Sequence, residues 1–154
     1  MARTGEGAAT VRFYQVSETL ESALLKVVHK AHERGLRQCV VAAGVQHARR
    51  LDDLLWTLPV AGFLPHRLWN ASEPERQPLL IALEPDDRNA ATVLVSAHGE
   101  PFREAARFDL VIDFVDAREP DGLTRGRDRF RFYRDQGHRM EYWEQGAEGW
   151  QKKA

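Results

Sequence analysis

Short apolar runs separated by segments in which apolar residues recur every three or four positions set the frame of this chain. "VRFYQV" from Val11 predicts a first strand. Leu20, Leu24, Val27, Val28 and Ala31 then follow helical spacing. Ser17 and Thr19 can cap that helix, Glu21 suits its first turn, and Gly35 stops it. "QCVVAAG" is almost continuously apolar, as a strand buried on both faces should be. A second helix is expected over Gln46–Thr57. A turn-rich stretch from Pro59 to Pro78 follows, with one short extended piece at Phe63–His66. "PLLIAL" from Pro78, "ATVLVSA" from Ala91 and "FDLVIDFV" from Phe108 predict further strands, with a short helix near Glu100–Ala106. "TRGRDRFRFYRDQGHRM" reads as a helix with Gly126 near its start and Gly137 near its end. The tail from Glu141 is aromatic but broken by glycine; residues 141–154, like residues 1–10, either pack on the body or fray. Strands alternating with helices predict one domain over residues 1–154. The expected fold is a three-layer α/β/α, Rossmann-like arrangement around a mainly parallel sheet.

One position resists the pattern. In "LDDLLWTLPVAGF", Leu51, Leu54, Leu55 and Leu58 share an arc, while Trp56 falls about 140° from Leu51 at 100° per residue. That places its ring beside Arg49, Asp52 and Asp53. Phe63 follows in a stretch bounded by Pro59 and Pro65. Either the helix ends early and Trp56 folds back into the core, or this is a surface made to be covered.

Composition adds bounds. The 154 residues are 43% apolar and 29% charged, as in a soluble globular protein. The single cysteine, Cys39, lies in an apolar run and is expected to be packing, not a disulfide or metal ligand. The amino terminus shows no apolar signal segment, and no run approaches a membrane span, so a cytoplasmic location is expected. The net charge is −1, which gives no global attraction for nucleic acid. From Arg125 to Arg139, however, six arginines meet only Asp128 and Asp135. Such a concentration suits a local anionic partner.

An α/β sheet of this kind often carries a nucleotide at the carboxyl ends of its strands. The glycines that would let backbone approach a phosphate are missing: "QVSETLES" has none, and "AAGVQHARR" has only Gly44. His29 and His32 sit among Lys26, Lys30, Glu33 and Arg34, and are expected on a solvated helix face. Asp109 and Asp113 fall on one face of a strand and are expected to mark its ends. Ser96 and His98 lack a nucleophile-elbow context. No catalytic residues, cofactor or metal are therefore expected.

The basic helix is more informative. Arg127, Arg131 and Arg134 fall on one face with Phe130 and His138, opposite Phe132, Tyr133, Gln136 and Met140, the natural core face. Guanidiniums beside an apolar ring can hold an acidic peptide with an apolar end. They can also hold single-stranded bases, or form a plain solvated face.

"LDDLLWTLPVAGFLPH", "DLVIDFV" and "RDRFRFYRDQG", in this order, together with "FYQV" and "RQCVVAA", resemble the chi subunits of bacterial DNA polymerase III holoenzyme. The resemblance spans about Arg12 to Gly137. It implies a non-enzymatic accessory subunit that works within a heteromeric complex, itself monomeric and away from membranes. Such a subunit links the clamp loader, through the psi subunit or another component, to the acidic, Phe-terminated tail of single-stranded DNA-binding protein. It meets DNA only indirectly. By the same resemblance, Val115, Arg127, Phe130 and Arg131 match tail-binding positions, with Arg125 and Arg134 as further basic contacts. Trp56 and Phe63 match the surface facing psi. Phe130 stands where the family commonly has tyrosine, and Arg131 where lysine is expected. The readings set against this one are a small nucleotide-dependent enzyme and a direct single-stranded nucleic-acid binder.

Overall fold

The computed structural model describes residues 7–57 and 64–154. Its strands are β1 (Thr10–Val16), β2 (Gln38–Val41), β3 (His66–Leu68), β4 (Leu79–Ala82), β5 (Val93–Ser96), β6 (Leu110–Asp116), β7 (Arg139–Gly146) and β8 (Gly149–Lys152). Its helices are α1 (Leu20–Glu33), α2 (Val45–Thr57) and α3 (Gly122–Asp135). The eight strands form one sheet in the order β3-β4-β2-β5-β6-β1-β7-β8. Every pairing is parallel except that of β7 with β8.

The sheet buries both faces. On one, α1 and α2 bring Leu24, Leu25, Val28, Leu51 and Leu55 onto Val40, Ile81, Val95 and Phe114. On the other, Tyr133 of α3 and Ala105 of the 3-10 turn Arg103–Arg107 cover Phe13, Val41, Leu94, Val111 and Val115. The alternation along β1 shows why one strand serves two layers: Val11 and Phe13 face α3, while Tyr14 and Val16 face the other side. Cys39 is buried packing on β2, and burial pushes its thiol up to about 12.

Three expectations change. The piece expected at Phe63–His66 is instead the strand His66–Leu68, and Phe63 lies outside the described residues, as do residues 1–6. The basic helix runs Gly122–Asp135, earlier than expected, because Gly137 takes φ +88° and ends it. Gln136 is therefore exposed, and His138 and Met140 have left the helix; His138 Nδ1 accepts from Ala9 N at 3.1 Å. The tail beyond Glu141 is the β7–β8 hairpin. Among the described residues, no helix is long and apolar enough to cross a membrane.

Candidate partner-binding surfaces

α3 is held to the sheet by a narrow stripe. Gly122, Gly126, Arg129 and Tyr133 are its buried positions, spaced four, three and four residues apart. Gly126 sits directly on Val115, where an added Cβ would lie 2.6 Å from Val115 Cγ2. Tyr133 accepts a hydrogen bond from Phe102 N at 2.9 Å, and burial pushes its phenol pKa up. Arg129, only 8% exposed, turns into the sheet rather than joining the outer arginines. Its Nε donates to Asp113 Oδ2 at 2.9 Å, and its Nη2 donates to the carbonyl of Phe114 at 2.9 Å. Asp113 is mid-strand, not at a strand end, and Asp109 lies just outside the strand. Burial pushes the Asp113 carboxyl upward, and Arg129 opposes this.

The remaining arginines divide between the two flanks of α3. Arg127, Arg131 and Arg134 are exposed beside Phe130. Arg131 lies 3.7 Å from Asp128 and Arg134 3.4 Å from Asp135, both loose surface pairs. Arg127 has no ion pair among the described residues; burial and Glu144 push the phenol of Tyr142 up, and Arg127 opposes them. Phe130 is partly exposed; its ring lies 5.5 Å from that of Phe13 and 6.2 Å from that of Tyr142. Leu123, seven residues before Phe130, is 37% exposed on the same flank. Sequence reading missed it, although its i, i+4, i+7 relation to Arg127 and Phe130 was visible. Val115 is 1% exposed beneath Gly126. Arg125 is not brought together with Phe130: it lies about 140° around the helix and lines a different feature.

That feature is a cleft of about 550 Å³ at the carboxyl ends of β5 and β6, where a nucleotide would sit in a related architecture. Asp113 and Arg129 form part of its wall, with Arg125, Glu119 and Ser96. His98 instead packs on Phe102, with ring centroids 5.5 Å apart. The turn into α3 is self-contained: Asp116 accepts from Arg118 N at 2.9 Å and pairs with its guanidinium at 3.1 Å.

At the opposite edge, Trp56 is 49% exposed on the last turn of α2. Its ring centroid is 4.5 Å from that of the buried His66. His66 Nδ1 lies 2.7 Å from the carbonyl oxygen of Leu64. Nε2 is 3.2 Å from Asp52 Oδ1, close enough for ion pairing but not aligned as a hydrogen bond. Trp56 thus stands on a platform tying α2 to β3. On α1, His29 is buried rather than solvated, only 8% exposed, because it follows Leu25 by one turn on the inward face.

These features define a Rossmann-like α/β protein whose nucleotide position lacks a glycine loop and whose Trp56, Phe130, Arg127, Arg131 and Arg134 lie elsewhere. The profile of the family described as "DNA polymerase III chi subunit, HolC" matches residues 9–141. The DNA polymerase III subunit chi of Pseudomonas aeruginosa is 30% identical over 135 residues, covering 85% of this chain and 93% of that protein. The Escherichia coli subunit chi is 27% identical over 124 residues, covering 79% and 82%. The chain belongs to the DNA polymerase III chi subunit family.

Proposed function

We propose that this chain is a non-catalytic adaptor of the replication machinery. Its arginine flank on α3 takes the acidic, Phe-terminated tail of single-stranded DNA-binding protein. Its Trp56 end, with Phe63, joins the clamp loader through psi or another component. The observation that carries the tail reading is the flank itself. Arg127, Arg131 and Arg134 are exposed around a partly exposed Phe130 backed by Phe13 and Tyr142. Acidic side chains and a terminal α-carboxylate need guanidiniums, and a terminal phenyl ring needs an apolar contact. The two contributions respond differently to salt: screening acts over about 8 Å at physiological ionic strength, whereas ring burial is not screened.

Titration calorimetry with the tail peptide tests this. Arg127→Ala is expected to weaken binding by about 1.5–3 kcal/mol at low salt, as for a lost charge-assisted hydrogen bond. Removing the terminal Phe of the peptide should weaken binding at every salt concentration. Wild-type affinity in Arg127→Ala at low salt would reduce the arginines to a solvated face.

A further inference from the structure

The β7–β8 hairpin creates a surface distinct from both sites above. β7 pairs in parallel with β1, setting Thr10 beside Arg139, Arg12 beside Glu141 and Tyr14 beside Trp143. β8 adds Lys152 beside Trp143 and Trp150 beside Gln145. Because strand side chains alternate, Arg12, Tyr14, Arg139, Glu141, Trp143, Trp150 and Lys152 share one face. It is the face away from α3, since Phe13 and Tyr142 point the other way, to Phe130. Here Tyr14 and Trp150 pack on the edge of the core, Tyr14 against Phe114 at 6.1 Å between ring centroids, and the outer side chains pack on one another. Trp150 meets Tyr14 at 4.6 Å between ring centroids, and Arg12 lies 5.8 Å from the Trp143 ring centre. The Trp143 indole donates to Glu141 at 2.9 Å, which also pairs with Arg12 at 2.8 Å. Both tryptophans are partly exposed, and Arg139 and Lys152 are exposed. With Arg12 neutralised by Glu141, Arg139 and Lys152 leave the face positive in a chain whose net charge is −1. Most of the hairpin lies beyond the residues matched by the family profile.

We propose that this aromatic sheet face binds single-stranded nucleic acid directly, beyond the adaptor role and apart from the α3 flank. Aromatic rings on adjacent strands accept unstacked bases, as in sheet-based single-strand readers, while flanking cations track the phosphates. Trp143 and Trp150 are diagonal neighbours across the hairpin, spaced at about 7–8 Å between such positions. That spacing suits two or three bases, so the contact is weak and salt-sensitive. An acidic peptide fits less well, because the Glu141 carboxylate stands on the same face beside Trp143.

The test is fluorescence anisotropy of a labelled oligothymidylate of about 12 nucleotides, within the usual site size, on the full chain at low salt. The strand should bind more tightly than a duplex of equal length. Trp143→Ala and Lys152→Glu should each weaken it at least about fivefold. Arg127→Ala/Arg131→Ala should leave it within about twofold, near the limit of a surface change. If Trp143→Ala loses the fold by circular dichroism, Lys152→Glu and Arg139→Glu decide the matter. The proposal is overturned by no binding at low salt, by equal affinity for duplex, or by loss confined to the α3 variant. It is equally overturned if the acidic tail peptide, and not the oligonucleotide, is lost in Lys152→Glu.

Discussion

Gly126 shows how little room separates α3 from the sheet. In an exposed helix, replacing glycine by alanine gains up to about 1 kcal/mol. Here the new methyl would meet both γ-methyls of Val115, at 2.6 and 3.0 Å. Val115 is branched and buried, so it cannot swing aside, and the helix must lift. Gly126→Ala is expected to destabilise by about 1–3 kcal/mol, the usual range for overpacking, read by urea denaturation. Val115→Ala should rescue it, and a double-mutant cycle without coupling would contradict the contact. Residue by residue, the sequence was legible where periodicity has two outcomes. The exposed indole of Trp56 follows from its angle on the helix. Arg129 was not legible, because an arginine among five others is expected outside. Only the stripe of Gly122, Gly126 and Tyr133 around it signals its direction.

At the scale of elements, α3 is held by a buried ion pair as well as by apolar contact. Tyr133 supplies its buried ring, while glycines fill two of the four buried positions. The Asp113–Arg129 pair therefore contributes to where the helix sits. Asp113→Asn removes one charge and leaves the other buried, at a cost of about 3–5 kcal/mol. Asp113→Leu/Arg129→Met should recover most of that loss, since apolar replacement of both partners removes the burial penalty. Chemical denaturation of the three chains separates the cases, and a mild effect of Asp113→Asn would mean that water reaches the pair. The β7–β8 hairpin was the element least legible in sequence. β7 has only partly buried positions between its ends, so neither a clean apolar alternation nor a continuous apolar run announces it. The strands β2, β4 and β5, buried at every position, were plain for the opposite reason.

For the molecule as a whole, the titrating groups point to loss of stability on acidification in two stages. Burial lowers the pKa of His29, with His32 adding to the effect, and burial also lowers that of His47. His47 Nδ1 accepts from Ala43 N at 2.9 Å, a role open only to the unprotonated nitrogen. The unfolded chain therefore takes up protons more readily than the folded one, and stability falls as pH drops below about 6.5. A second loss begins near pH 4. Asp116, held by Arg118, sits below the ordinary carboxylate range. Asp86 and Glu141 do so as well: burial pushes each up, but Arg88 on one and Trp143 and Arg12 on the other pull it further down. Asp113 opposes them in this window, because burial has raised it. Calorimetry between pH 7.5 and 3 should show both steps. His29→Asn/His47→Asn should remove the first, and a flat melting temperature between about pH 7 and 5.5 would contradict it. The layered α/β class was legible because alternating strands and helices leave few arrangements. The position of β1 inside the sheet was not, because partner choice depends on contacts across most of the chain.

That position governs how the protein comes into being. β1 lies between β6 and β7, pairing Thr10 with Leu110 on one side and with Arg139 on the other. The block β3-β4-β2-β5 needs nothing after Ser96 to complete its own ladders. During synthesis at about 5–20 residues per second, this half can assemble while the first strand made still waits for both neighbours. β1 is then a strand with one apolar face and two open edges, available to the same strand on another nascent copy. Adding the last third of the chain both completes the sheet and ends that period of vulnerability.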